Sequence, residues 1–113
     1  MHEFSIAMNV VDIAGEYAEK ERATVVREIE IEIGELSGIV LEAFEFAMES
    51  AVKDTILEHA RIVIKTIPGM ARCAQCHHEY PTKDFFGKCP LCSSSAIDII
   101  RGKELRVKSL TVD

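Results

Sequence analysis

The sequence predicts an α+β fold: two helices packed on one face of a small three-stranded sheet, with a cysteine-bearing insert late in the chain. Three observations carry that reading. Apolar residues recur at helical spacing over 4–21 and 40–53, and in strand-like patterns over 24–33, 61–67 and 96–112. All four cysteines fall between Cys73 and Cys92. At 113 residues and 48% hydrophobic composition, the chain can bury one core and carry a small insert.

The first helix places Phe4, Ala7, Met8, Val11 and Ala18 on one side and Ile6, Val10, Ile13 and Tyr17 on the adjoining flank. Only Ser5, Asn9, Asp12, Glu16, Glu19 and Lys20 form a polar strip. The apolar arc is therefore wider than a helix with its back to water needs, and the expectation is a well-buried helix. Over 24–33 the period falls to two. Ile29, Ile31 and Ile33 alternate with Glu28, Glu30 and Glu32, giving a strand whose glutamates form a solvated face without chemistry. Gly34 ends this strand and Ser37-Gly38 open the second helix. There Leu41, Phe44, Met48, Ala51 and Val52 turn inward, Glu42, Glu45 and Glu49 turn out, and Glu49 sits four residues before Lys53 for a modest ion pair. A second strand over 61–67 stops at Pro68-Gly69. The tail reads as strand over 96–100 and 105–112, with Gly102 as a break or bulge. A slip of apolar phase between Val107 and Leu110 places a further bulge near Ser109. The expected division is a helix–sheet domain of residues 1–68 plus 97–113, and an insert of residues 69–96.

The insert reads C-A-Q-C, twelve residues, then C-P-L-C. Each C-x-x-C turn presents two thiolates to one ion. Two facing turns complete a tetrahedral four-sulfur site, with metal–sulfur distances of about 2.3 Å for zinc. Pro90 inside the second turn and Gly87-Lys88 before it suit a sharp knuckle with a cation beside the thiolates. Cys73, Cys76, Cys89 and Cys92 are therefore candidate metal ligands in a zinc-ribbon-like insert with four cysteine ligands. A closed four-thiolate site leaves no open coordination position, so its role is structural. The insert is too short to build a core of its own. Metal binding would supply its folding energy, of order 10–16 kcal/mol for comparable zinc peptides. Iron would use the same four ligands. His77 and His78, directly after the first pair, read as exposed residues.

Two disulfides are the competing use of these cysteines, and they need an oxidising compartment. The first twenty residues carry Glu3, Asp12, Glu16 and Glu19, unlike a signal peptide or a membrane span. The expectation is a cytoplasmic protein with reduced thiols and no membrane association. A formal net charge of −6 argues against nucleic acid, whose phosphates call for clustered Lys and Arg. No nucleophile–base pair, paired acid/base motif or glycine-rich phosphate loop supports an enzyme.

The opposite end opens Met-His-Glu, almost without a lead-in to the first helix. His2 is bulky, and removal of an initiator methionine generally requires a small second residue. The Met1 amine, the His2 backbone nitrogen and the His2 ring can then chelate one ion, with the Glu3 backbone nitrogen within reach as a fourth donor. The first N–H groups of a helix have no acceptor four residues back, so they can yield a proton to a metal without breaking an intrahelical bond. Ni(II) and Cu(II) favour such square-planar nitrogen sets, whereas Zn(II) prefers a tetrahedron. The ordinary α-amine pKa of about 7.7–8.0 implies weaker binding at lower pH.

The motifs M-H-E-F-S at the start, I-G-E-L after the first strand, Pro68-Gly69, the paired C-x-x-C knuckles and G-K-E-L-R-V near the end occur in order over essentially the whole chain. In this combination the chain resembles the HypA/HybF family of hydrogenase-maturation nickel metallochaperones. The resemblance implies a Ni(II) site made by Met1, His2 and Glu3, and structural zinc on Cys73, Cys76, Cys89 and Cys92. It further implies delivery of nickel to the large-subunit precursor of a NiFe-hydrogenase, together with a nickel-handling GTPase. Some relatives serve urease. Monomer and homodimer are both compatible with the sequence. The alternatives from composition are a zinc-ribbon adaptor without nickel transfer and a rubredoxin-like electron carrier holding iron.

Overall fold

The computed structural model describes residues 2–113, so Met1 lies outside the described residues. The elements run α1 (His2–Lys20), β1 (Val26–Gly34), α2 (Leu41–Ala51), β2 (Arg61–Ile67), β3 (Met70–Cys73), β4 (Glu79–Pro81), β5 (Ile97–Arg101) and β6 (Leu105–Val112). They form two three-stranded sheets, ordered β2-β1-β6 and β4-β3-β5. The chain divides into two compact units. One takes the chain up to Glu32, residues 39–65 and the stretch from Arg106; the other takes 33–38 and 66–105. The second unit thus reaches past the expected 69–96 insert, adding residues 33–38, 66–68 and 97–105.

In the first unit α1 buries Ala7, Val10, Val11, Ala14 and Ala18, a stripe at the three-and-four spacing of one helix face. Against it α2 buries Phe44, Ala47, Met48 and Ala51. Val26, Ile29 and Ile31 of β1 and Leu57 complete the core, all fully buried. Burial of an Ile or Phe side chain is worth about 1.5–3 kcal/mol. A one-residue slip of β1 would exchange its isoleucines for glutamates, so the pattern fixes the register.

Two expectations for this unit need correction. The helix α1 is not buried all round: Phe4, Met8, Ile13 and Tyr17 remain exposed. The stripe from Ala7 to Ala18, which includes Val10 from the flank, already fills its share of the core, and Phe4 and Met8 at one edge and Ile13 and Tyr17 at the other are left to solvent. Nor are the β1 glutamates a plain solvated face. Glu32 is only 6% exposed and accepts from Arg106 Nε, with Lys108 Nζ at 3.5 Å. Glu28 and Glu30 meet Arg61 and Lys65 of β2, each at 3.7 Å. Opposite charges on neighbouring strands stabilise a sheet face in this way. Among the described residues no ion pair joins Glu49 to Lys53, which lies past the end of α2.

In the second unit β3 is central. It pairs antiparallel with β4 (Ala71 opposite Tyr80, Arg72 opposite Glu79) and with β5 (Ala71 opposite Ile99, Cys73 opposite Ile97). Between Met70 and Ala71 the register against β5 shifts, because Met70 faces Arg101 and Ile100 is left as the extra residue of a bulge. Arg72 and Glu79 form an ion pair at 2.8 Å.

Three glycines meet where the strands of this unit cross. A Cβ on Gly34 would overlap the Gly102 carbonyl, and one on Gly102 would come within 2.6 Å of the Gly69 Cα. A Cβ on Gly69 would meet the Thr82 carbonyl and the Leu36 side chain. Gly102 also has φ +110, a conformation side-chain-bearing residues rarely adopt. Short backbone bonds hold the crossing: Gly34 N–H to Glu104 O at 2.7 Å, Leu36 N–H to Gly102 O at 2.7 Å and Glu35 N–H to Ile67 O at 2.9 Å. The I-G-E-L, Pro68-Gly69 and G-K-E-L motifs thus come together at one place.

Candidate metal centre and N-terminal site

The two C-x-x-C turns are built alike. In the first, His78 O accepts from Cys73 N–H at 2.9 Å and Cys73 O accepts from His77 N–H at 2.9 Å. In the second, Ser94 O accepts from Cys89 N–H at 2.8 Å and Cys89 O from Ser93 N–H at 2.9 Å. His77 and Ser93 occupy the same place in the two turns, and both are left-handed, with φ 65 and 64. Backbone amides point at the sulfurs: Gln75 and Cys76 N–H at 3.3 and 3.4 Å from Cys73 Sγ, and Leu91 N–H at 3.4 Å from Cys89 Sγ.

The four sulfurs lie within 4.8 Å of one another, the one such cluster of potential ligands among the described residues. Cys73 Sγ is 3.5 Å from Cys92 Sγ, and Cys76 Sγ is 3.6 Å from Cys89 Sγ. A disulfide requires about 2.05 Å. Tetrahedral coordination at about 2.3 Å per bond places sulfurs roughly 3.8 Å apart, so the cage fits one ion of that kind. All four thiols are free; Cys73 and Cys89 are buried, Cys76 and Cys92 exposed. The Cys76 and Gln75 amides draw the Cys73 thiol down to about 6. At Cys92 the Ser94 amide pulls the same way, but the Cys73 thiol beside it and burial prevail and push it up to about 12. Four sulfurs this close cannot all ionise unaided, and a divalent cation is what makes four thiolates compatible.

Neither histidine joins the cage. His77 is exposed, and His78 stacks on Tyr80 with ring centroids 5.8 Å apart. The Tyr80 hydroxyl is buried without a hydrogen-bond partner, and burial followed by the nearby thiolates raises its pKa. Sequence reasoning did not single out this residue, whose buried hydroxyl becomes visible only in the folded unit.

At the other end His2 is exposed and is the first described residue of α1. Met1 lies outside the described residues. Glu3 is half-buried, and its Oε2 accepts the Val40 N–H at 3.0 Å. Val40 is the N-cap of α2 and has no side-chain cap of its own, so Glu3 caps that helix from α1. This bond is the main reason the Glu3 carboxyl is drawn down to about 2.

Fold and site together define a small two-unit α+β protein with a closed four-sulfur metal cage. The chain belongs to the HypA family: the family model for hydrogenase/urease nickel incorporation metallochaperones matches residues 1–112. It is 45% identical over 112 residues to the hydrogenase maturation factor HypA of Parabacteroides distasonis, covering 99% of this chain and 97% of that one. To the factor of the same name from Geobacter metallireducens it is 42% identical over 113 residues, all of both chains. The solution structure of the Ni metallochaperone HypA from Helicobacter pylori superposes with a TM-score of 0.72 at 25% identity, covering 97% of this chain and 96% of that one. A second solution structure of a HypA protein gives 0.75 at 27% identity, over 99% and 96%. No helix among the described residues is long and apolar enough to cross a membrane.

Proposed function

We propose that this chain is a nickel metallochaperone that binds Ni(II) through Met1, His2 and Glu3. In this reading it helps insert the ion into the NiFe-hydrogenase large-subunit precursor, working with a nickel-handling GTPase in the cytoplasm. Zinc occupies the four-cysteine cage as a permanent structural ion. The supporting observation is the placement of His2, an exposed imidazole at the first turn of α1, where backbone N–H groups have no intrahelical acceptor. Glu3 Oε2 accepts from Val40, and the backbone nitrogen of Glu3 is its contribution to the nickel set in this reading. The two metals are separated by chemistry: four thiolates keep zinc, and a nitrogen set open to solvent holds nickel in an exchangeable form. Protonation of the α-amine competes with the ion, so affinity falls as pH drops through about 8. No step requires a catalytic residue.

Metal analysis and nickel titration of three proteins test this reading: the native chain, one extended by a single residue before Met1, and His2→Ala. The expected result is one tightly held zinc in all three, with nickel bound by the native chain alone. Equal nickel uptake by all three would place the cargo site elsewhere and favour an adaptor role.

A further inference from the structure

We propose that Tyr80 is a positioning residue of the metal cage: its hydroxyl donates a hydrogen bond to the Cys89 thiolate on the buried side of the cluster. The inference rests on the reading of the four cysteines as ligands of a divalent cation. It adds to their support a residue outside the C-x-x-C turns.

Strand register puts Tyr80 on the cage side of its sheet. Ala71 and Cys73 are two apart on β3, so their side chains leave the same face. Tyr80 stands opposite Ala71, and the pairing runs on to His78 beside Cys73, where His78 O accepts the Cys73 N–H at 2.9 Å. From β5, Ile99 and Ile97 take the places opposite Ala71 and Cys73. This face is thus apolar apart from sulfur, an imidazole and one phenol. The other face carries the charges: Arg72 stands opposite both Glu79 and Asp98 and pairs with Glu79 at 2.8 Å. His78 stacks on the Tyr80 ring with centroids 5.8 Å apart and planes 18° apart, which limits the freedom of the ring.

The ring is half-buried, but its hydroxyl is sealed from solvent and has no hydrogen-bond partner. Among the described residues it is the one buried side-chain oxygen or nitrogen in that position. A sealed donor without an acceptor is costly, and native structures rarely keep one without a use for it. The chemistry of the cage supplies a use. As thiols, the sulfurs pair among themselves, Cys73 with Cys92 at 3.5 Å and Cys76 with Cys89 at 3.6 Å. As thiolates around a cation they can only accept, so loading turns their hydrogen-bonding capacity toward surrounding donors. Water can reach the exposed Cys76 and Cys92, whereas the buried Cys73 and Cys89 depend on donors from the protein. Burial raises the Tyr80 pKa, and of the four sulfurs Cys89 adds most to that rise. The phenol therefore keeps the proton it donates. A donor of this kind orients the ligand and draws electron density from its sulfur.

The test loads the full chain with one equivalent of Co(II), Zn(II) or an NMR-active cadmium isotope, beside Tyr80→Phe, which keeps the ring and removes only the hydroxyl. In the native cadmium form the Tyr80 hydroxyl proton is expected to exchange slowly with water. It should correlate with the metal nucleus through sulfur and show proximity to the Cys89 β-protons. In the cobalt form Tyr80→Phe is expected to move the sulfur-to-cobalt charge-transfer band to longer wavelength, because a thiolate without the donor gives up electron density more readily. The d–d bands, which report tetrahedral geometry, stay in place. Zinc affinity is expected to fall by about ten-fold. A ring that only packs would leave the charge-transfer band unmoved. That result, or a hydroxyl proton with no correlation to cadmium, would overturn the proposal and leave the metal reading standing. Failure of the native chain to hold any of the three ions at its cysteines would remove the metal reading first, and this inference with it.

Discussion

Glu32 shares its strand face with Glu28 and Glu30 but not their surroundings. Arg106 holds its carboxyl below the ordinary carboxylate range, with Lys108 reinforcing the effect against a burial penalty. A carboxyl with a depressed folded-state pKa contributes stability above its unfolded value, about 4.3, and loses that contribution as pH falls through the folded one. Glu32→Gln is therefore expected to lower stability at neutral pH and flatten the acid limb of a urea-midpoint series from about pH 7 to 3. The alternation of Ile and Glu was legible in the sequence, and it correctly places the isoleucines inside. It says nothing about what a neighbouring strand sets opposite each glutamate, so alternation alone makes Glu32 look solvated. The glycines give a second contrast. At Gly102→Ala, positive φ and the nearby Gly69 backbone combine, and a loss of about 2–4 kcal/mol is expected in denaturant melts. At Gly15, within α1, an added Cβ meets nothing within 4 Å. There Gly→Ala should gain about 0.5–1 kcal/mol in the same assay.

Elements long enough to show a period were readable. The nineteen-residue α1 and the β1 isoleucine run are where the pattern put them. Strands β3 and β4, of four and three residues, are too short to display alternation, so the second sheet was hidden inside the cysteine segment. The knuckles themselves were legible because ligand spacing is a property of the local turn. Their likeness extends to the left-handed residues, His77 and Ser93, which spacing alone does not reveal. Removal of one ligand should therefore act on one unit. Cys76→Ser is expected to release the structural ion and raise amide hydrogen exchange in β3, β4 and β5, while the core amides of α1 and α2 stay protected. Loss of protection throughout would show that the two units do not unfold separately.

For the whole molecule, the sequence motifs and the architecture meet at the glycine crossing. I-G-E-L, Pro68-Gly69 and G-K-E-L are far apart in the chain, and nothing in any one of them announces the others. Their common requirement is backbone approaching backbone without an intervening Cβ, a constraint that becomes visible only when the three are seen together. The acidic balance was readable as an argument against nucleic acid, but not its division into an ion-paired sheet face on β1 and the exposed glutamates Glu42, Glu45 and Glu49 on α2.

The crossing would also give an ion held by the four cysteines a topological task. Gly69 and Gly102 stand at the two ends of the loop that contains all the cysteines. A cation tying Cys73 to Cys92 would act as a splice, more than halving the free chain that must be closed to bring those glycines into register. Each halving of a flexible loop saves about 0.6 kcal/mol of closure entropy. A loaded cage would thus shorten the path by which the chain finds its own ends, besides ordering the turns that hold it.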